Sequence, residues 1–379
     1  MPRQTEQLPL IPAAAGSGRV LALHRFGATG ARPKAYLQAA LHADETPGLL
    51  VLHHLLSLLE AVQEADSIRG EIVVAPYANP IGLSQFVNGV QLGRYAMIGS
   101  GNFNRNWPDL YTPIAEGLGN RLGDDAEANK RAIRAAMRAH IEDWEPQSEL
   151  ESLRRLLARE AADADYVFDL HCDDEALLHL FLVPQHWPLA EPLAAELGVS
   201  AVLLAEDSGG STFDETFSGP WLRLAARYPG RPIPPACLST TVELRGRSDV
   251  DDKLAIEDAA ALYRSLQRFG VVAGDPGPQP RMRCEATGLD ATDTIRSPVS
   301  GVVAYRVALG ATVEAGDIVA EIVNPAAPPK TARTPVATRA SGLVLSRRSH
   351  RYVAAGMVIA KVVGREPLPH RQGGALLDD

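Results

Sequence analysis

The sequence predicts an α/β protein, with a mixed sheet flanked by helices and a small C-terminal all-β domain. Short β-type runs alternate with longer helical runs from residue 19 to about residue 269, which is typical of an α/β domain around a buried sheet. A proline- and glycine-rich stretch over 273–292 predicts a linker. Beyond it, the apolar residues alternate as in strands. At an average of about 150 residues per domain, a chain of 379 residues suggests two or three domains.

The α/β domain is predicted over 19–272, after an N-terminal extension over 1–18. Its β-type runs cover 20–25, 35–41, 71–76, 166–171, 180–184 and 239–244. Its helical runs cover 47–66, 126–145, 148–164, 188–197 and 251–269. The first helix has a distinct beginning, because Thr46 can cap it and Pro47 needs no hydrogen-bond acceptor in the first turn. The segment 207–231 is expected to shape specificity, and no fold is predicted for it.

The C-terminal domain, over 293–364, contains one β unit twice. The run SGVV at 300–303 recurs as SGLV at 341–344, and VEAG at 313–316 recurs as VAAG at 353–356. This duplication resembles the barrel-sandwich domain of lipoyl and biotinyl carriers, in which two such halves interlock. The resemblance implies a compact β domain of two related halves.

A carrier domain would present a modifiable lysine between its halves. Here the connection is the proline-rich stretch that ends in Lys330, so we expect an unmodified domain with a structural or lid role. A carrier or docking module beside a degenerate first domain is the alternative. The tail over 365–379 is expected to be unpacked.

Charge and cysteine content exclude several function classes. Lys and Arg number 37 against 46 Asp and Glu, so the net charge of −9 argues against a nucleic-acid partner. The widely spaced Cys172, Cys237 and Cys284 are typical of reduced thiols, which predicts a cytoplasmic protein. We find no export signal and no apolar run of about 18 residues, so no membrane partner is expected. A homo-oligomer stays open.

Two histidines and one glutamate are candidate metal ligands. His42 and Glu45 lie in the turn between the second predicted strand and the first helix, where open α/β sheets place their ligand sites. His171 ends a later strand, and Asp169 shares its face because side chains alternate along a strand. Asp169 is therefore a candidate for hydrogen bonding to either histidine. Two His and one Glu would leave the fourth position of a zinc ion open for water, as in catalytic sites.

Two further segments carry candidate substrate and catalytic groups. Asn104 and Arg105 lie in an asparagine-rich loop, and the arginine offers a planar fork for a carboxylate. Arg94 could stabilise a developing oxyanion. Glu243 lies between apolar neighbours near the end of a β-type run, where burial would raise its pKa and suit it to accept a proton from water.

Taken in order, these motifs resemble the zinc carboxypeptidase superfamily and, within it, the succinylglutamate desuccinylase/aspartoacylase family. The matching stretches are 42–45, 102–108, 169–171 and 241–243, and the resemblance spans about 19–269. It implies a zinc-carboxypeptidase-like mixed sheet and a C-terminal β domain. Two positions depart from the family's pattern, namely Asn102 where the motif has Asp and Trp107 where it has Phe. Neither departure is expected to touch a metal ligand, and both concern the detailed fit of the substrate end.

The resemblance also implies a role for each candidate. It assigns His42, Glu45 and His171 to one zinc ion per chain and Glu243 to general base and acid. Asn104 and Arg105 would bind the substrate carboxylate, Arg94 would be the oxyanion cation, and Asp169 would support the metal site from behind its ligands. The implied reaction is hydrolysis of the linear amide bond of a small-molecule N-acyl amino acid by water that the metal activates.

Other readings of the sequence remain open. A zinc metallocarboxypeptidase shares this chemistry, since the run TVELR at 241–245 also fits that branch, and release assays on N-acyl amino acids and peptides would separate the two. The loop DSGGS at 207–211 resembles the nucleophile loop of chymotrypsin-type proteases, but the helical runs contradict that all-β fold. Cys172 and His171 are strand neighbours with opposite directions, so a thiol–imidazole dyad is disfavoured. The pair His53 and His54 lies in a leucine-rich helix and is expected to be structural.

Overall fold

The computed structural model describes residues 4–99 and 101–371. Within these ranges, the α/β part contains twelve strands and eight helices. The strands are β1 (Gln4–Pro9), β2 (Val20–Gly27), β3 (Lys34–Ala39), β4 (Glu71–Ala75), β5 (Phe86–Val87), β6 (Val90–Gln91), β7 (Tyr166–Asp173), β8 (Glu175–Ala176), β9 (His179–Leu182), β10 (Ala201–Leu204), β11 (Leu238–Gly246) and β12 (Ala286–Gly288). The helices are α1 (Pro47–Glu64), α2 (Pro80–Leu83), α3 (Thr112–Ala115), α4 (Ala126–Asp143), α5 (Glu149–Ala161), α6 (Trp187–Leu197), α7 (Phe213–Arg227) and α8 (Asp252–Arg268).

Nine of these strands form one mixed sheet in the order β1-β2-β4-β3-β7-β11-β9-β10-β12. At its middle, β3, β7 and β11 lie side by side and run parallel. Because the carboxyl ends of parallel strands meet at one edge, the residues that follow these three strands come close together. This topology confirms the predicted α/β architecture with a large mixed sheet.

Helices cover both faces of the large sheet. Alternate residues of β3 point to opposite faces, so Leu37 belongs to one core and Tyr36 to the other. The first core is completed by α1, α6 and α8, and the second by α4, α5 and α7. With both faces buried, the sheet is a rigid base for side chains at its carboxyl edge.

The C-terminal part consists of strands alone. They are β13 (Thr292–Arg296), β14 (Gly301–Tyr305), β15 (Thr312–Val313), β16 (Ile318–Val323), β17 (Arg333–Ala337), β18 (Gly342–Arg347), β19 (Tyr352–Val353) and β20 (Val358–Val363). They form one sheet in the order β13-β20-β18-β15 and another in the order β17-β16-β14-β19. An apolar core that includes Val303, Ile322, Val344 and Val362 lies between the two sheets.

The predicted duplication is visible as two interlocked halves. In the first half β14 pairs with β16, and in the second half β18 pairs with β20. The short strand of each half pairs with the long strand of the other, β15 with β18 and β19 with β14. Neither half therefore closes its sheet alone.

The predicted elements lie within a few residues of the observed ones. The run 166–171, for example, is β7 (Tyr166–Asp173), and the run 251–269 contains α8. Helix α1 begins at Pro47 as predicted, and Thr46 occupies the N-cap position, but its side chain makes no capping hydrogen bond. The helix begins there because of the proline, not because of a side-chain cap.

Four parts of the chain differ from the sequence-based expectation. The N-terminal extension contributes β1, which pairs with β2 at the edge of the large sheet. The stretch predicted as a linker contains β12, which pairs with β10. The unassigned segment 207–231 contains α7. The beginning of the tail is packed, because Arg371 donates to the carbonyl of Thr292 at 3.0 Å, while residues 372–379 lie outside the described residues.

None of the described helices is both long and apolar enough to cross a bilayer.

Candidate metal centre and active site

His42, Glu45 and His171 converge at the carboxyl edge of the sheet. One potential ligand atom of each lies within 4.8 Å of the others, and all three side chains are buried. The Glu45 carboxylate lies between the imidazoles, with Oε1 2.9 Å from Nδ1 of His42 and Oε2 2.8 Å from Nδ1 of His171. His42 and Glu45 belong to the turn between β3 and α1, and His171 lies on β7. The predicted ligand set is thus brought together by two neighbouring parallel strands.

The outer nitrogen of each imidazole is also hydrogen-bonded. Nε2 of His171 lies 2.8 Å from Oδ2 of Asp169, whose other oxygen accepts from Gln38 at 2.9 Å. Nε2 of His42 lies 2.7 Å from Oδ1 of Asn102. Asp169 therefore contacts His171 and not His42, which resolves the alternative that the sequence left open. With both outer nitrogens engaged, both Nδ1 atoms face Glu45 and the centre.

The side chains of the cluster strongly affect one another's pKa values. Although burial opposes it, the two imidazoles hold the pKa of Glu45 well below its usual value. Burial lowers the pKa of His42. Burial also opposes a charged His171, but Asp169 and Glu45 raise its pKa well above the ordinary value. Without a metal ion, the two carboxylates thus favour the protonated form of His171, and a cation bound by these residues would compete with that proton.

Arg94 lies beside the same carboxylate. Its Nη1 is 3.0 Å from Oε1 of Glu45 and 3.3 Å from Nδ1 of His42. The predicted oxyanion cation is therefore next to the cluster, near the beginning of the loop that follows the β5–β6 hairpin.

Glu243 lies on β11, and its pairing with His171 of β7 places it beside the cluster. Among the described residues its Oε2 is buried and has no hydrogen-bond partner. Burial, and next the charge of Glu45, raise its pKa to about 8. Glu243 is thus a carboxyl group that faces the centre and readily holds a proton.

Asn104 and Arg105 also line the cavity. Oδ1 of Asn104 accepts from the amide of Phe213 at 2.8 Å, at the beginning of α7. Arg105 packs on Gly210, where an added Cβ would lie 2.3 Å from Cδ of the arginine. Its backbone carbonyl accepts from Arg154 at 2.6 Å. Three contacts, with Phe213, Gly210 and Arg154, therefore hold the predicted carboxylate-binding pair in place.

The centre opens into a cavity of about 740 Å³ that both parts of the chain line. The α/β part contributes the three candidate metal ligands and, besides them, Arg94, Asn104, Arg105 and Glu243. The C-terminal strands and their turns contribute, among others, Arg296, Arg347, Arg348, His350, Met357 and Lys361. Within the described lining, the C-terminal part supplies cations and no carboxylate. The β domain therefore forms one wall of the site.

Sequence reasoning missed the contact that positions this wall. The acidic run 173–175 begins two residues after His171, and each of its carboxylates binds a C-terminal group. Lys361 pairs with the first at 2.6 Å, and the amide of Ser349 donates to the second at 3.1 Å. Arg347 and Arg351 pair with the third at 3.1 and 2.5 Å. The sequence feature that could have predicted this contact is the run of three consecutive acidic residues shortly after the candidate ligand His171.

The competing readings do not assemble a site. Among the described residues, Ser208 forms no hydrogen bond with a histidine, and its amide donates to Glu215 at 2.6 Å. Burial raises the pKa of the Cys172 thiol, which makes a thiolate nucleophile unfavourable. Of the histidine pair in α1, His54 lies 2.8 Å from Asp252 at the protein surface. The contacts of Ser208, Cys172 and His54 are therefore typical of structural side chains and do not form a second catalytic site.

Comparison with known proteins identifies the family. The sequence profile of the succinylglutamate desuccinylase/aspartoacylase catalytic domain matches residues 31–220, half of the chain. The chain belongs to this family. The matched stretch contains every predicted site residue of the α/β part except Glu243, which lies beyond it. Members of the family are deacylase/aspartoacylase-type hydrolases.

Several solved structures share the fold over nearly the whole chain. A family protein from Shewanella amazonensis is 26% identical, with a TM-score of 0.84 over 95% of this chain and 98% of that one. A family protein from Shewanella frigidimarina is 23% identical, with a TM-score of 0.84 over 96% and 97%. The ectoine utilization protein EutE (DoeB) from Ruegeria pomeroyi is 18% identical, with a TM-score of 0.66 over 96% and 95%. The last two show the fold alone. No curated protein matches the chain.

Proposed function

We propose that this protein is a zinc-dependent amidohydrolase that removes an acyl group from an N-acyl amino acid or a related small carboxylate. The observation that carries the proposal is the convergence of His42, Glu45 and His171 within 4.8 Å, with Glu243 facing the same cavity. This combines a candidate metal centre with a candidate proton acceptor.

The donor set fits zinc. Two imidazole nitrogens and one carboxylate are ligands that catalytic zinc sites use, and three protein ligands leave a position free for water or substrate. Zinc held by these residues would lower the pKa of a water molecule and polarise an amide carbonyl. The burial of all three ligands and the opening of the centre into the cavity support such a site.

Glu243 would move the protons of the reaction. Its raised pKa favours uptake of a proton from the attacking water, and the same carboxyl would then donate that proton to the leaving amine nitrogen. Arg94 would face the oxygen of the amide carbonyl as negative charge develops on it. Both side chains line the cavity into which the candidate ligands face, which supports these roles.

The walls of the cavity favour a small anionic substrate. Its volume of about 740 Å³ is in the range of small-molecule sites. Arg105, with Asn104 beside it, would bind the carboxylate of the amino acid. On the C-terminal wall, Lys361 and Arg347 are paired with Asp173 and Glu175, and Arg348 would attract an anionic substrate although the whole chain carries a net charge of −9. We propose that the β domain acts as a lid that disfavours longer peptides, the substrates of the alternative metallocarboxypeptidase.

Metal analysis combined with a substrate panel tests the proposal. The purified chain should contain one zinc ion and should release the acid from at least one N-acyl amino acid. The matched analogue with its α-carboxylate blocked as an amide should react far more slowly, since it lacks the partner of Arg105. Removal of C-terminal residues from peptides, without acyl release, would instead establish the carboxypeptidase. A chain that binds no divalent ion would contradict both.

A further inference from the structure

The two candidate histidine ligands are held by chemically different partners. Nε2 of His171 lies 2.8 Å from a carboxylate, that of Asp169. Nε2 of His42 lies at the nearly equal distance of 2.7 Å from a neutral carboxamide, that of Asn102. Both partners are buried. The two imidazole–partner distances are thus nearly equal, but only one of the two partners is an acidic side chain.

The orientation of the Asn102 amide follows from its surroundings. The backbone amide of Asn104 donates to Oδ1 of Asn102 at 2.8 Å, so the oxygen must face this N–H group. The same oxygen faces Nε2 of His42. Exchanging the amide oxygen and nitrogen would place the NH₂ group against the N–H of Asn104, two donors in contact. The carboxamide oxygen therefore accepts from both neighbours.

This orientation fixes the proton on His42. Because Oδ1 of Asn102 can only accept, Nε2 of His42 must carry a hydrogen, so in the neutral ring the unprotonated nitrogen is Nδ1, which faces Glu45 and the centre. That is the nitrogen a metal ion would use. Asn102 thus orders the ring as Asp169 orders that of His171, without adding negative charge.

Within the described part of the chain, the Asn102 side chain makes no hydrogen bond besides these two. Nδ2 of Asn102 is buried and has no hydrogen-bond partner among the residues that the structure describes. An asparagine here is therefore not explained by bonds that only an amide could make. Its distinguishing property at this position is the absence of charge next to the centre.

On these grounds we infer that Asn102 is a positioning residue that fixes the metal-binding nitrogen of His42 while keeping that side of the centre uncharged. This inference rests on the proposed function. A carboxylate behind a ligating imidazole makes the ring a stronger donor, and changes of such partners alter metal affinity by about 10–100-fold. The protein should therefore bind zinc less tightly than it would with an aspartate at position 102.

Zinc affinity, measured by competition with a chromophoric chelator, tests this inference without any activity assay. Asn102→Asp should tighten zinc binding by about 10-fold or more. Asn102→Leu, which keeps the approximate shape but has no acceptor for His42, should weaken it by about 10–100-fold. Equal affinity in the wild type and both variants would overturn the inference, as would weaker binding by Asn102→Asp.

Asp169→Asn is the matched control, because it gives His171 the partner that His42 has. It should weaken zinc binding by about 10-fold or more, and it keeps the inference testable if either substitution at position 102 prevents folding. Unchanged affinity in Asp169→Asn would show that the charge behind the imidazoles does not matter, and would overturn the inference. If the folded wild type itself binds no zinc, the proposed function fails, whereas equal binding by all variants refutes only the role of Asn102.

Discussion

Lys361, on the last strand of the C-terminal sheets, lies 2.6 Å from the carboxylate of Asp173, on the strand that carries His171. The contact joins two parts of the chain that are 188 residues apart in sequence. Each side chain is about one-fifth exposed, at 22% and 21%, so the pair is shielded from solvent by the cavity wall. The wall of the site and the strand of a candidate metal ligand are therefore linked by one ion pair.

We expect Lys361→Met to lower the free energy of unfolding by about 2 kcal/mol. Methionine keeps much of the apolar stem but leaves the carboxylate of Asp173 without its cation, and the partial exposure keeps the loss below that of a fully buried pair. Denaturant titration measures the change. Lys330→Met, at an exposed loop lysine, is the control and should change the stability by less than about 0.5 kcal/mol.

The effect of Lys361→Met should depend on pH. Although burial opposes it, Lys361 holds the pKa of Asp173 well below its usual value. A carboxyl group with a lowered folded-state pKa contributes stability above the unfolded value of about 4, and this stability is lost as the pH falls through the folded value. The difference between wild type and variant should be full at pH 7 and should shrink below pH 4. A difference that is independent of pH would contradict the ion pair.

Gly210→Ala should impair substrate binding through Arg105. The glycine has φ of +85°, and an added Cβ would lie 2.3 Å from Cδ of the arginine, so the guanidinium must move. We expect KM for an N-acyl amino acid to rise by about 10-fold or more with a smaller change in kcat, because the lost contact binds the substrate throughout the reaction. Steady-state kinetics separates the two parameters.

Gly89→Ala controls for the backbone cost of this substitution. Gly89 has nearly the same φ, +81°, and nothing lies within 4 Å of the Cβ it would gain. It should therefore show the strain of a left-handed alanine without a rise in KM. Equal KM values for the two variants would mean that Gly210 does not position Arg105.

The candidate ligands could be predicted from sequence because their positions depend on local patterns. His42 and Glu45 fall in a strand-to-helix turn, and His171 ends a β-type run, so placing both strands in one parallel sheet brings them to one edge. Lys361 had no such signal. Its approach to Asp173 depends on how the C-terminal sheets dock on the α/β part, which no local spacing records.

Helix α7 escaped prediction for a different reason. It contains Pro220, which normally argues against a helix interior because it lacks an N–H group. The helix is stabilised by tertiary packing, since Phe213, Phe217 and Trp221, four residues apart, are fully buried in one core. That spacing was the available sequence signal, and the proline masked it.

Glu243→Gln and His171→Ala should separate proton transfer from metal binding. Glutamine keeps the size of the side chain but cannot accept a proton, so kcat should fall by about 10²–10⁴-fold while the zinc content stays near one ion per chain. His171→Ala removes a ligand and should lose the metal. Elemental analysis alongside the kinetics measures both effects. Near-normal turnover in Glu243→Gln would remove this residue from the mechanism.

The same Glu243→Gln variant should be more stable than the wild type when both are metal-free at alkaline pH. Burial and Glu45 raise the pKa of Glu243 to about 8 in the folded state, against about 4 for an unfolded glutamate. Between these values the folded protein retains a proton that the unfolded chain has released, so wild-type stability falls as the pH rises from 4 to 8. Glutamine has no such proton to lose.

The advantage of Glu243→Gln should thus be near zero at pH 4 and reach about 2–4 kcal/mol at pH 9. Chemical denaturation of the metal-free proteins across this range measures it, with the near-equal size of the two side chains excluding a packing effect. A stability gain of Glu243→Gln that does not grow with pH would show that burial and Glu45 do not disfavour the ionised carboxylate of Glu243. A gain that does grow means that the fold tolerates an unfavourable buried charge at the position where the proposed reaction needs a proton acceptor.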